Sequence, residues 1–150
     1  MGLVLFWFAG FCFLVSCFFI SYQDFVKRSF SAVVLFFWTV VFSLVALVFF
    51  PGFPFIPYLL VFPLFAFTNI AFGDSLMVYT TGVFTYIGNT LYHTGYNGYM
   101  YLSVTLGLCY LGSLLLKPVF KLQKNKKGVP LIPLITINQV IFLYLITFHF

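Results

Sequence analysis

The sequence predicts an all-α integral membrane protein, about six transmembrane helices in one compact bundle. Three observations predict it. The chain is 63% hydrophobic and 6% charged, with a mean hydropathy of +1.14, whereas a soluble domain carries about 25% charged residues. Apolar stretches close to the roughly 20 residues needed to cross a bilayer recur along its length. All seven basic residues fall in two short segments between those stretches. The 150 residues then form a single polytopic domain, 1–150.

In chain order the expected spans are 3–22, 30–50, 55–72, 75–93, 98–116 and 129–148. The first lacks a basic n-region and an A-x-A-like cleavage site, so a retained span is expected there and not a removed signal peptide. "PGFPFIP" separates the second from the third, because proline lacks an amide donor and clashes with the preceding turn. Pro63 lies inside the third span, where a kink is expected. "HTGYNGY" is a glycine and asparagine turn between the fourth and fifth.

Orientation follows from the cations. Lys27 and Arg28 occupy the first loop; Lys117, Lys121, Lys124, Lys126 and Lys127 occupy the fifth. Odd-numbered loops of a six-span chain share one side, so the positive-inside rule places both in the cytoplasm, with the N- and C-termini outside. A prokaryotic plasma membrane fits this pattern. The "KLQKNKK" run is expected to fix topology; it is not read as a nucleic-acid or anionic-lipid site.

The polar and sulfur-bearing residues divide simply. Cys12, Cys17 and Cys109 lie in apolar runs with no C-x-x-C pair, so packing is expected and zinc is not. His93 and His149 fall at the expected outer face and read as interfacial side chains. No metal or other cofactor is expected. Asn69, Asn138 and Gln139 read as hydrogen-bonding contacts between helices, and Trp7 and the tyrosines as interface anchors.

Asp24 and Asp74 are the only acidic residues in the chain. Charge counting puts both at the cytoplasmic face, each at a helix end. Two carboxylates held together share one proton, because like charges at close range do not both ionise cheaply. The ionised member takes a proton from water while the protonated one hydrogen-bonds a scissile carbonyl, which is the chemistry of peptide hydrolysis. Gly73, with no Cβ, would let a substrate backbone approach Asp74. The structural alternative pairs Asp24 with Arg28 four residues on and makes Asp74 the cap of a helix starting at Ser75. Ionisable groups bordering a span are costly and usually functional. A small ion- or proton-coupled transporter subunit would also use such groups, although transport sites favour the midplane.

"DFVKRSF" after the first span and "FGDSLMV" before the fourth resemble the two aspartate motifs of the type IV prepilin peptidase family. That family includes the preflagellin peptidases, among the GxGD intramembrane aspartyl proteases. "VPLIPL", with Pro130 and Pro133, is similar to a proline-containing segment near the family's C-terminus. The resemblance spans the chain in order and topology. It implies a six-helix membrane core that cuts the basic leader from pilin-like precursors at the cytoplasmic face. It implies catalytic roles for Asp24 and Asp74, a site-shaping role for Gly73, and basic positions at Lys27 and Arg28. Ala71 stands where the family has the first glycine of GxGD, and Leu76 where it often has lysine, which marks a divergent short form. The four-cysteine zinc module of the bifunctional members has no counterpart, so peptidase activity is implied without N-methyltransferase activity. The implied partners are a pilin-like precursor and membrane lipids. An inactive structural homologue is the other reading that this divergence leaves.

Overall fold

From Gly2 to Gln23 the chain carries neither charge nor proline, and nothing in that run interrupts a backbone hydrogen-bond ladder. It forms the first helix without a break. The computed structural model describes residues 2–27, 32–50, 52, 55–63, 72–92, 98–122 and 132–148. Among them the elements are α1 (Gly2–Lys27), α2 (Ala32–Phe49), α3 (Phe55–Leu59), α4 (Phe72–Tyr92), α5 (Gly98–Leu122) and α6 (Ile132–Phe148). All are helices, in agreement with the expected all-α class. Residues 61–63 are helical too, while the rest of the expected third span, beyond Pro63, lies outside the described residues.

Two helix ends that carry the aspartates run beyond the expected spans. α1 runs on to Lys27 and carries Asp24 inside its last turns; α4 begins at Phe72, so Asp74 sits within its first turn. The reading of Asp74 as the cap before Ser75 is therefore corrected. A single charge at a helix terminus costs little backbone order, so hydropathy underestimates helix length where a polar residue ends the apolar run. α2 stops at Phe49 ahead of the proline-rich segment, as its sequence requires.

Side-chain contacts fix how the helices run. Phe13 packs on Phe42, and Trp38 donates to the Ser16 hydroxyl at 3.1 Å, so α2 is antiparallel to α1. Phe62 meets Tyr79 and Tyr58 meets Gly82, so the 55–63 segment opposes α4. Tyr101 donates to Thr81 while Cys109 lies within electrostatic reach of Asp74, and Asn138 donates to Thr105 at 2.7 Å while a Cβ on Gly112 would meet Leu134, so α5 opposes both α4 and α6. Successive segments thus alternate in direction. α4 lies at the centre, buried from Asp74 to Asn89 apart from a half-buried Tyr86.

The partition of polarity is inverted relative to a soluble fold. The exposed residues of α1 include Val4, Phe8, Phe11, Val15, Phe18 and Phe19; those of α2 include Val33, Phe36, Phe37, Leu44 and Leu47. The polar side chains point inward: Ser75, Thr80, Thr81, Thr85, Asn89, Thr105, Thr136, Asn138 and Gln139 are all buried. α1 is long and apolar enough over Gly2–Asp24 to cross a bilayer, and Val33–Phe49, Tyr101–Gly112 and Ile132–Ile146 are shorter apolar helices.

Candidate functional site: two carboxylates at one end of the bundle

The inward face of α1 reads Phe6, Gly10, Phe13, Cys17, Ile20 and Asp24, buried at alternating intervals of four and three. That spacing keeps one helix face in register. The matching stripe on α4 runs Asp74, Met77, Thr81, Phe84, Gly88 and Leu91. The two stripes meet antiparallel. A Cβ on Gly10 would lie 2.8 Å from Phe84, one on Gly88 would lie 2.9 Å from Phe6, and one on Gly2 would lie 3.6 Å from Leu91.

Continuing this register sets Asp74 level with Ile20, and Asp24 one turn beyond, about 6 Å along the axis at 1.5 Å per residue. Both aspartates therefore belong to facing stripes at the same end of adjacent helices. Both are buried, at 8% and 9% exposure. Their helix positions are opposite in polarity. Asp74 occupies the first turn of α4, where the macrodipole favours an anion; Asp24 occupies the C-terminal end of α1, where the macrodipole disfavours one.

Two further helices close the site. Ser21, one turn before Asp24, is 2.9 Å from the Thr136 hydroxyl on α6. Thr136 donates to Ile132 O at 2.9 Å, which leaves the Ser21 hydroxyl as the donor of that pair. On α5, Cys109 is buried and lies within electrostatic reach of Asp74. Of the other anticipated residues, Gly73 lies in the first turn of α4 beside Asp74, Lys27 ends α1, and Pro133 is half-buried in the first turn of α6. Arg28, Pro130, His93, His149 and Asn69 lie outside the described residues.

Sequence reasoning missed Ser21, Ser75, Cys109 and Thr136. One available signal was helical spacing, since Ser21 shares a face with Asp24 three residues later. It also missed the tyrosines that are not interface anchors. Tyr58 and Tyr101 are fully buried, and Tyr79 is buried with its hydroxyl 2.9 Å from Ser43. Trp7 does carry a half-exposed ring, and its indole donates to Tyr92.

Below the aspartates the interior continues polar, and a single rule organises it. Each buried threonine of α4 and α5 donates to a carbonyl one turn back: Thr81 to Met77 at 2.9 Å, Thr85 to Thr81 at 2.8 Å, Thr105 to Tyr101 at 2.7 Å. A hydroxyl has one proton, so its oxygen then serves as acceptor for another helix. Tyr101 donates to Thr81 and Asn138 to Thr105 in this way. Gln139 Oε1 stands 3.0 Å from the Thr85 hydroxyl, whose proton the Thr81 carbonyl already holds. The amide is therefore assigned with Nε2 toward Thr85, and its other arm has no protein partner among the described residues. These contacts bear out the reading of Asn138 and Gln139 as links between helices.

No family model, curated protein or solved structure matches this chain. The site stands on its own geometry.

Proposed function

We propose that this chain is a multi-pass membrane aspartyl endopeptidase, cutting the basic leader from pilin-like precursors at the cytoplasmic face. The observation that supports it is the placement of the chain's entire acidic inventory, buried on facing helix stripes at one end of the bundle. The membrane setting is supported by the apolar outer faces of α1 and α2 and by the polar residues turned inward. In this reading the first turn of α4 keeps Asp74 ionised, and the C-terminal end of α1 keeps the proton on Asp24. Asp74 accepts a proton from the attacking water, and Asp24 donates a hydrogen bond to the scissile carbonyl oxygen. The Ser21 and Thr136 pair fixes the approach of α6 beside them.

The test is co-expression of a pilin-like precursor with wild type, Asp24→Asn and Asp74→Asn at matched membrane levels. Wild type is expected to release the leader, and each variant to lose at least about 100-fold of the rate, the lower range for positioned acid–base groups. Equal cleavage by all three would end the protease reading. Infrared difference spectra test the split of roles: the carbonyl band of a protonated carboxyl should vanish in Asp24→Asn and persist in Asp74→Asn.

One observation favours a second reading. The buried hydroxyl and amide groups of Thr136, Asn138, Thr105, Tyr101, Thr81, Thr85 and Gln139 in the bundle interior would also suit a proton or cation pathway ending on the aspartates. Ion movement across reconstituted vesicles, abolished by the same substitutions and with no precursor cut, would decide for it.

A further inference from the structure

At the end of the bundle away from the aspartates, α1, α2 and α4 line a half-open cavity of about 370 Å³. Phe6 and Ala9 of α1, Val45 and Phe49 of α2, and Ile87 and Leu91 of α4 contribute to its walls, and every lining residue is apolar. Phe6 and Asp24 are separated along α1 by about 27 Å at 1.5 Å per residue. The cavity is remote from the carboxylates and plays no part in their chemistry.

Its inner end is closed. Phe13 packs edge-on against Phe42 at 5.0 Å and against Trp38 at 5.6 Å, and Phe42 meets Phe84 at 5.2 Å. This aromatic plug ends the groove between α1 and α2. The outer flanks are the exposed Val4, Leu5, Phe8, Leu44 and Val48. Beside the walls, Tyr92 lies edge-on to Phe6 at 6.4 Å and accepts a hydrogen bond from the Trp7 indole. A tryptophan and a tyrosine joined through their polar tips are suited to the level where hydrocarbon gives way to headgroup.

Size selects the occupant. A helix with its side chains is about 10 Å wide, and a cylinder of that width fills the cavity within about one turn. A cavity of that volume holds no more than about one turn of a partner helix. A methylene takes up about as much room as a water molecule, about 30 Å³, so the space accommodates on the order of a dozen methylenes. That is most of one acyl chain. Water is a poor occupant, because a buried water needs two or more polar partners and the walls offer none.

We propose that this cavity binds one acyl chain of a membrane phospholipid, with the ester region held at the Trp7 and Tyr92 pair. The inference rests on the membrane setting proposed above and not on the protease chemistry. A bound chain restores the van der Waals contacts that Phe6, Phe49 and Ile87 otherwise lack on their cavity side.

The experiment reconstitutes the full chain in vesicles of phosphatidylethanolamine and phosphatidylglycerol, doped with a phosphatidylethanolamine bearing a mid-chain diazirine. After photolysis, adducts are mapped by peptide mass spectrometry. The expected result is adduct density at Ala9, Val45 and Ile87 several-fold above that at Phe18 and Leu108, which face outward elsewhere. Ala9→Phe and, separately, Val45→Phe should abolish the excess and leave the labelling at Phe18 and Leu108 unchanged. Equal labelling at all five positions in wild type overturns the proposal, because the cavity then sees only the general lipid annulus. Cross-links from the cavity to a second copy of the chain also overturn it. An absence of labelling at Phe18 and Leu108 as well removes the membrane setting itself, a failure distinguishable from that of the cavity alone.

Discussion

Asn138 and Gln139 are neighbours on α6, both buried, and they differ in how well they are satisfied. Asn138 donates to Thr105 at 2.7 Å, whereas Gln139 has one amide arm engaged with Thr85 and one without a protein partner among the described residues. A buried hydrogen bond between membrane helices contributes about 0.6–1.7 kcal/mol, while an unmatched amide arm offsets much of that gain. Asn138→Leu should therefore destabilise the fold by about 1 kcal/mol, and Gln139→Met should fall within about 0.5 kcal/mol of wild type. Reversible unfolding in mixed detergent micelles reads both; an equal cost would mean that the free arm has a partner. At this scale the sequence was legible where a residue type was rare. Two aspartates in an apolar chain single themselves out, and so do Asn138 and Gln139. Threonine and serine did not, because a hydroxyl that bonds back to its own helix sits in an apolar run without disturbing hydropathy. Only the fold reveals that those oxygens face inward and accept from other helices.

The helices themselves approach closely where glycine meets a side chain of a facing helix. A Cβ on Gly10 would come within 2.8 Å of Phe84. Phe84 has little room to yield, since Phe6 stacks on it at 4.7 Å and Phe13 and Phe42 flank it at 5.3 and 5.2 Å. Gly10→Ala should thus cost about 1–3 kcal/mol, the usual penalty for overfilling a packed interior. Gly107 on α5 is the control: it is exposed, and a Cβ there would meet no heavy atom within 4 Å. Gly107→Ala should be neutral or stabilise by up to about 1 kcal/mol, the intrinsic helix preference of alanine over glycine. The same micelle titration separates the two. Hydropathy located the helices but not this contact, because pairing α1 with α4 requires a register between segments far apart in sequence. The register also decides the site. The facing of Asp24 and Asp74 follows from the two heptad stripes, and neither stripe is apolar enough to stand out from the greasy faces around it.

For the whole molecule, direction and charge converge on one arrangement. Contacts make successive segments alternate in direction, so the end of α1 lies with the start of α4 and the start of α6 at one end of the bundle. Lys27 ends α1, and Lys117 and Lys121 lie in the C-terminal turns of α5, so these cations belong to the aspartate end. If that end faces the cytoplasm, as the lysine and arginine asymmetry predicts, a precursor whose leader remains in the cytoplasm would meet the carboxylates directly. The prediction is tested in a chain whose Cys12, Cys17 and Cys109 have been replaced by alanine. A single cysteine at Lys27 or Lys124 should react with a membrane-impermeant maleimide only in inside-out vesicles, and one at Gly2 or Phe148 only in intact cells. Reversal of all four positions would put the aspartates on the outer face and exclude a cytoplasmic leader as substrate. Labelling of Gly2 and Lys27 from the same side would mean that α1 does not cross the bilayer, and the inverted polarity of this fold would then need an apolar partner to cover α1 and α2 instead of lipid.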